Sequence, residues 1–214
     1  MKRLSNINIR WSSRFAYIIG LIATDGYLSK DKRHITFTSQ DKILVILFKN
    51  ILGLKNKIGL KSSGSSSKKC PHIQFGDINF YQWLLKIGLT SKKSKTISKL
   101  KIPQKYFFDF LRGCFDGDGS CYAYWDKRWK SSFMFYSTFA SGSLPFLEWL
   151  RKNIKNLAKI KGHIKTSRRS WQLCYAKTES KILFKKIYYN KNMPFLKRKY
   201  IKLKNFINTD NKNK

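Results

Sequence analysis

A ten-residue phrase occurs twice in the sequence, and this repetition constrains the fold more than any other feature. Residues 17–26 read YIIGLIATDG, and residues 110–119 read FLRGCFDGDG. Each copy has apolar residues at helical spacing and ends in Asp-Gly, which predicts a helix that stops at the glycine. Two copies predict a chain built of two repeats, each about a hundred residues long.

The repeated phrase places an acid where helix electrostatics disfavours one. Asp25 and Asp118 fall at the C-terminal ends of the predicted helices, where the macrodipole is already negative. Asp-Gly is also an ordinary turn dipeptide, so one copy alone is weak evidence for a site. Because both copies keep the acid, we interpret the pair as a binding site for divalent cations that assist phosphodiester hydrolysis.

Small residues predict how the two acids come together. Gly20 and Ala23 in the first copy, and Gly113 and Gly117 in the second, leave one helix face without bulky side chains. Two helices that meet through such faces pack backbone to backbone. The second copy also contains Asp116, which corresponds to Ala23; we interpret this unpaired acid as structural.

The remaining sequence predicts the same order of elements in both halves: helix, two strands, helix, two strands, helix. The predicted later elements are a helix at 41–52, strands at 57–61 and 72–76 around a loop at 62–69, a helix at 79–87, strands at 120–125 and 133–140, a helix at 144–157, strands at 163–166 and 171–176, and helices at 181–189 and 193–206. The predicted divisions are an N-terminal repeat at 1–89, a linker at 90–103, a C-terminal repeat at 104–207 and a flexible tail at 208–214.

The charge of the chain indicates a polyanionic partner. The sequence has 45 Lys and Arg against 11 Asp and Glu, a net charge of +34 that extends along its whole length. Nucleic acid is the polyanion that such a field favours, although a generic basic surface stays an alternative. Neither a secretory signal nor a long apolar segment is visible, so we expect an intracellular protein without membrane contact.

The predicted strands supply a nucleic-acid surface on their outward face. Polar, basic and aromatic side chains there can contact base edges and phosphates in the major groove. The expected DNA-binding residues, with those of adjoining turns, are Ser29, Lys30, Arg33, Thr36, Thr38, Lys57, Lys61, Gln74, Tyr122, Tyr124, Lys127, Arg128, Tyr136, Thr138, Lys165, Arg168, Arg169 and Gln172.

Two lysines are further candidates for the cleavage centre. Residues 91–96 match residues 195–200, which places Lys93 and Lys197 in equivalent positions. A lysine there would stabilise the charge of the transition state or orient water. A phosphate contact or an ordinary surface lysine is the alternative for each.

The two phrases resemble the signature helices of the LAGLIDADG homing endonucleases, in the single-chain form with two motif copies. The matching residues are 18–26 and 111–119. The resemblance implies an α+β fold of two pseudo-symmetric αββαββα repeats with a DNA-binding antiparallel β saddle. It also implies cleavage of both strands of a long target across the minor groove, leaving 3′ overhangs.

The resemblance also implies the cofactor and further site residues. Asp25 and Asp118 would bind Mg²⁺, Mn²⁺ would substitute for it, and Ca²⁺ would support binding without cleavage. Gln40 matches a polar position near the active site, whereas its counterpart Gly142 has no side chain. The two half-sites are therefore expected to differ chemically.

The expected partner is double-stranded DNA, bound by a monomer. An RNA maturase that assists intron splicing, and a nuclease-inactive DNA-binding protein, are alternatives on the same fold. The abundance of Lys, Asn and Ile indicates an AT-rich genome, whether of a bacterium, a phage or an organelle.

Overall fold

The protein has the same order of helices and strands in each half. The structure is a computed structural model and describes residues 7–63, 66–129 and 132–212. The first half contains α1 (Ser13–Asp25), β1 (Gly26–Leu28), β2 (His34–Thr38), α2 (Lys42–Ile51), β3 (Gly59–Ser63), β4 (Ser66–Gly76), α3 (Ile78–Lys86) and the short α4 (Lys93–Thr96). After a 3₁₀ turn at Gln104–Tyr106, the second half contains α5 (Phe107–Asp118), β5 (Gly119–Trp125), β6 (Phe133–Ser141), α6 (Leu144–Ala158), β7 (His163–Ser167), β8 (Ser170–Ala176), α7 (Lys177–Ile187) and α8 (Lys197–Lys212).

The strands form two antiparallel sheets with equivalent topology. Their strand orders are β1-β2-β4-β3 and β5-β6-β8-β7. Gly26 pairs with Phe37 in the first sheet, and Gly119 pairs with Phe139 in the second. This register makes the two hairpins that follow the repeated phrases equivalent, and it confirms the predicted α+β fold.

The core surrounds the two repeated helices. Helix α1 begins at the N-cap Ser12, whose hydroxyl accepts a hydrogen bond from the Phe15 amide at 3.1 Å. Every residue from 15 to 23 is buried, so this helix is covered on all sides. In β2, Ile35 and Phe37 are fully buried beneath the sheet, as the predicted alternation requires. Among the described residues, no helix is both long and apolar enough to cross a membrane.

Three predicted segments differ from the structure. The segment predicted as a loop at 62–69 is mostly strand, because Lys61 pairs with Cys70 and Ser62 with Lys69; residues 64–65 lie outside the described part. The predicted linker contains α4. The predicted flexible tail is helical as far as Lys212. There the buried Asp210 forms ion pairs with two lysines of α7, which hold the end of α8.

Candidate active site

Helices α1 and α5 meet backbone to backbone at the junction of the two halves. A Cβ atom on Gly20 would lie 2.1 Å from the Phe110 carbonyl oxygen, and one on Gly113 would lie 2.1 Å from the Tyr17 carbonyl oxygen. Real Cβ atoms do not approach backbone oxygens so closely, so any side chain would push the helices apart. The predicted small-residue contact is therefore confirmed, and it fixes the ends of the two helices side by side.

The two motif acids are the last residues of these helices. Asp25 ends α1 and Asp118 ends α5. A Cβ atom on Gly117 would lie 2.9 Å from an Asp25 carboxylate oxygen, so this carboxylate lies against the end of α5. Burial, followed by the negative charge of Asp118, raises the pKa of Asp25 to about 7. Burial also raises the pKa of Asp118, although its side chain is exposed on one side. The charge of Asp118 thus disfavours the ionisation of Asp25.

A buried lysine caps the C-terminal end of each helix. The Lys93 ammonium donates hydrogen bonds to the carbonyl oxygens of Ala23 and Thr24, at 3.0 and 2.7 Å. The Lys199 ammonium lies 2.8 Å from each of three carbonyl oxygens in the last turn of α5 and 2.6 Å from the carbonyl oxygen of Gly119. Carbonyls at a helix end lack intrahelical donors, so each ammonium satisfies several of them. Burial lowers the pKa of both lysines.

The structure places Lys199, and not Lys197, at the position equivalent to Lys93. Lys197 is the exposed first residue of α8, whereas Lys199 is buried against the end of α5. The predicted alignment of residues 91–96 with residues 195–200 is shifted by two residues from the one that the structure shows. The burial pattern contains the signal for the correct register, because Lys199 lies between the buried Leu196 and Leu203 on one side of the chain.

A pocket of about 330 Å³ opens beside Asp25. Gln40 and Arg198 line it together with Asp25, so the polar position expected from the first hairpin does lie next to the first acid. The Arg198 guanidinium donates to both carboxylate oxygens of Asp41, at 2.9 and 2.5 Å, and it lowers the pKa of that acid. This pair connects α8 of the second half with the start of α2 in the first half. The sequence prediction included neither of its members.

The equivalent position beside Asp118 has no room for a side chain. A Cβ atom on Gly142 would lie 2.6 Å from the Ser94 carbonyl oxygen. The next residue, Ser143, is buried and donates its hydroxyl to the Ile97 carbonyl. The two sides of the site are therefore chemically different, with a polar pocket next to Asp25 and close backbone packing next to Gly142.

Asp116 has a structural environment. It is 1% exposed, and one carboxylate oxygen accepts hydrogen bonds from the Tyr17 hydroxyl at 2.8 Å and from the Leu196 amide at 2.6 Å. Burial raises its pKa to about 6, and these two hydrogen bonds oppose the shift. Asp116 thus connects both repeated helices to the segment that precedes α8, which agrees with the structural interpretation of this residue.

The donor groups at the helix ends suit a hard divalent cation. Asp25 and Asp118 supply carboxylate oxygens, which Mg²⁺ prefers, and burial raises the pKa of both acids, so a bound cation would favour their ionised forms. Within the described ranges, no cluster of three His, Cys, Asp or Glu side chains surrounds this point. Water and phosphate oxygens would therefore complete the coordination, as is usual for Mg²⁺.

Comparison with known proteins agrees with this geometry. A family model described as a LAGLIDADG-like domain matches residues 12–72, which include α1 and most of the first sheet. I-WcaI bound to its DNA recognition sequence is similar in structure, with a TM-score of 0.62 and 14% identity over 90% of this chain and 88% of that one. The fold is that of the LAGLIDADG homing endonucleases.

The LAGLIDADG fold also relates the chain to two other proteins. Full-length WhiA from Thermatoga maritima matches with a TM-score of 0.59 and 18% identity over 94% of this chain, which spans only 63% of the WhiA chain. A variant of I-DmoI with its target DNA and Mg matches with a TM-score of 0.52 and 16% identity over 84% of this chain and 97% of that one. I-DmoI with DNA and Mn matches with a TM-score of 0.53 and 16% identity over 85% of this chain and 98% of that one. No curated protein matches the sequence.

The LAGLIDADG sheets expose most of the residues predicted to bind DNA. The exposed ones are Lys30, Arg33, Lys57, Lys61, Gln74, Tyr122, Tyr124, Lys127, Arg128, Lys165, Arg168 and Arg169, and the half-buried ones are Ser29, Thr38, Tyr136 and Gln172. Thr36 and Thr138 are only 9% and 3% exposed, so the structure does not place these two predicted DNA contacts on the exposed surface of the sheets. Both lie on central strands, where the neighbouring strands cover a short side chain; Thr138 also bonds the Ser120 hydroxyl at 2.7 Å.

Proposed function

We propose that the protein is a site-specific DNA endonuclease that hydrolyses one phosphodiester bond in each strand, leaving 3′ overhangs. The observation that carries this proposal is the pair of acids at the ends of the paired helices, with Asp25 raised to a pKa of about 7 beside Asp118. Folding alone gives no reason to hold two carboxylates together at helix C-termini. A phosphodiester-cleavage site that uses divalent cations does need them there.

The residues of the chain have distinct roles in this proposal. Lys93 and Lys199 hold the helix ends in position, and their positive charges favour the ionised form of Asp25. Gln40 and Arg198 line the pocket beside Asp25, where they can orient a phosphate or a water molecule. Mg²⁺ bound by Asp25 and Asp118 would supply activation of water and neutralisation of the developing phosphate charge.

The proposed cofactor is Mg²⁺, with Mn²⁺ as a substitute and Ca²⁺ supporting binding without cleavage. I-DmoI structures with DNA in the presence of Mg and with Mn support the choice of metals. The proposed substrate is double-stranded DNA, since the chain carries a net charge of +34 and its structural neighbours include proteins on DNA. A monomer suffices, because one chain supplies both acids.

We further propose that residues 1–89 and 104–207 are the two functional halves, connected by 90–103. The protein would act on the DNA of a bacterium, phage or organelle as part of a mobile intron or similar element. An RNA maturase and an inactive DNA-binding protein remain the alternatives. WhiA shares the fold, so the nuclease proposal depends on the acid pair and not on the fold.

The test uses the purified chain and a randomised duplex library. With Mg²⁺, sequencing of the cleaved ends should return one long target with 3′ overhangs. Asp25→Asn and Asp118→Asn should each abolish double-strand cleavage while retaining binding to that target in Ca²⁺. Glu148→Gln is the matched control, because this exposed acid lies on α6, apart from the residues assigned to the site or to DNA binding.

Three results would contradict the proposal in different ways. Unchanged cleavage by either motif variant would refute the assigned roles. Tight duplex binding without cleavage in Mg²⁺ or Mn²⁺ would favour the inactive DNA-binding alternative. Preference for folded intron RNA over duplex DNA would favour the maturase. Binding in every case should weaken steeply as salt rises, because lysines release counterions from phosphates.

A further inference from the structure

Three tyrosines form a stacked row on the outward face of the second sheet. Tyr122 lies directly opposite Tyr136 in the β5–β6 register, with ring centroids 5.2 Å apart and planes 17° apart. Tyr124 stacks on the same Tyr136 ring at 6.2 Å and 13°. Tyr122 is 38% exposed and Tyr124 46% exposed. We call these three residues the tyrosine ladder.

Basic side chains surround the tyrosine ladder. The Lys165 ammonium lies 6.0 Å from the Tyr122 ring centroid, and the exposed Lys127 and Arg128 follow Tyr124 in the β5–β6 turn. An apolar protein partner is unsuited to a face with this much positive charge. A polyanion that also offers apolar groups is suited to it.

At the equivalent positions of the first sheet, the residues that the structure describes form no tyrosine ladder. The hairpin registers make Ser29 the counterpart of Tyr122, and His34 the counterpart of Tyr136. The His34 side chain is paired with Asp31, because the His34 Nδ1 atom lies 2.5 Å from an Asp31 carboxylate oxygen. In addition, β1 has three residues whereas β5 has seven, so only the second hairpin extends far enough to carry the ladder. The two halves therefore present different chemistry to their partner.

We propose that the tyrosine ladder recognises thymines in the major groove of one half of the DNA target, through their C5 methyl groups. This inference rests on the proposed function only in taking duplex DNA as the partner. The methyl group of thymine is the apolar feature of the major groove. Stacking within the ladder covers the ring faces that the tyrosines turn toward one another and leaves the ring edges for a groove. Proteins that bind unpaired bases instead need open ring faces.

The test compares thymine with deoxyuridine, which lacks only the methyl group. Duplexes are first selected from a random library by binding to the full chain in Ca²⁺, and their thymines are then replaced by deoxyuridine in one half at a time. One half should be enriched in T·A pairs. Replacement there should weaken binding about fourfold for each contacted methyl, the value expected for one buried methyl or methylene group. Replacement in the other half should have little effect.

Matched variants assign this effect to the tyrosine ladder. Combining Tyr122→Ser with Tyr136→His installs the residues of the first half and should remove the sensitivity to deoxyuridine. Tyr122→Phe keeps the ring edge and should retain the sensitivity. Tyr27→Ser, at a 51% exposed tyrosine of the first sheet, should also retain it. Circular dichroism verifies that each variant is folded.

Equal sensitivity to deoxyuridine in the wild type and the ladder variant would overturn the inference, as would insensitivity of both halves. Tighter binding of single-stranded oligothymidine than of the selected duplex, lost in the ladder variant, would also overturn it and assign the ladder to unpaired bases. Cleavage of the selected duplex in Mg²⁺ is measured separately. A chain that binds the duplex but does not cleave it would therefore refute the nuclease proposal. The deoxyuridine experiment would still test thymine recognition independently.

Discussion

Lys199→Met tests the claim that a buried lysine holds the end of the second motif helix. Lys199 is 7% exposed, and its ammonium lies within 2.8 Å of four carbonyl oxygens. An ammonium has three donors, so three hydrogen bonds disappear when methionine replaces it. Each buried acceptor left without a partner costs about 1–3 kcal/mol. Removal of the charge offsets part of this cost, because a neutral methionine does not have to be desolvated as an ammonium does. The burial that lowers the pKa of Lys199 reflects that desolvation cost.

The net loss should be about 2–4 kcal/mol of the free energy of unfolding, against a typical total of about 5–15 kcal/mol. For a chain of this size that corresponds to a fall in Tm of about 10 °C. Urea unfolding followed by circular dichroism measures the loss. Lys197→Met is the control, since Lys197 is exposed and a surface change should stay within about 0.5 kcal/mol. Equal effects of the two variants would refute the capping role of Lys199.

Three further predictions address the same junction. Gly20→Ala should destabilise the fold by about 2 kcal/mol or more and impair cleavage, because its Cβ atom would lie 2.1 Å from the Phe110 carbonyl oxygen. Gly53→Ala is the control: no atom lies near its Cβ position, so this variant should strain only its own turn and leave cleavage unchanged. Asp116→Asn should cost less in urea unfolding than Asp116→Ala, because an amide oxygen can still accept both hydrogen bonds, although its NH2 group would replace a buried carboxylate oxygen that has no hydrogen-bond partner. Asp116→Ala should cost about 2–4 kcal/mol, and equal losses would contradict this. In the folded state the pKa of Asp25 is raised from its ordinary value of 3.8 to about 7, so the metal-free native state loses stability as pH rises between these values. Asp25→Asn in EDTA should therefore be more stable than wild type at pH 8, by up to about 4 kcal/mol, with no difference below pH 4.

The sequence predicted the parts of the structure that depend on local pattern. Both motif helices end at the predicted Asp-Gly, and the small residues at positions 20 and 113 lie in the predicted helix contact. These features follow from helical periodicity and from residue size, which act within a few residues. The equivalence of the two hairpins was predictable for the same reason, because each follows its motif at the same spacing.

The features that the sequence analysis missed depend on partners far away in the chain. Asp41 pairs with Arg198, and Asp210 pairs with lysines of α7, across separations that no local pattern reveals. The polar composition of the final residues predicted disorder, whereas the buried Asp210 holds them in a helix. The equivalence of Lys199 with Lys93 was also missed, but it does not depend on a distant partner. Lys199 lies between the apolar residues Leu196 and Leu203 at helical spacing, a pattern that is visible in the sequence.

The negative charges of Asp25 and Asp118 lie at helix C-termini, where positive charge must compensate them. Lysines of the chain supply part of this positive charge, and a bound cation would supply the rest. Lys93 and Lys199 neutralise the carbonyl ends of the helices through direct hydrogen bonds. Their charges also oppose the pKa shift of Asp25, yet that pKa still rises to about 7. Near neutral pH the acid pair is therefore only partly ionised in the metal-free protein. A divalent cation would complete the ionisation, so metal affinity should fall as pH drops below 7 and protons compete for Asp25.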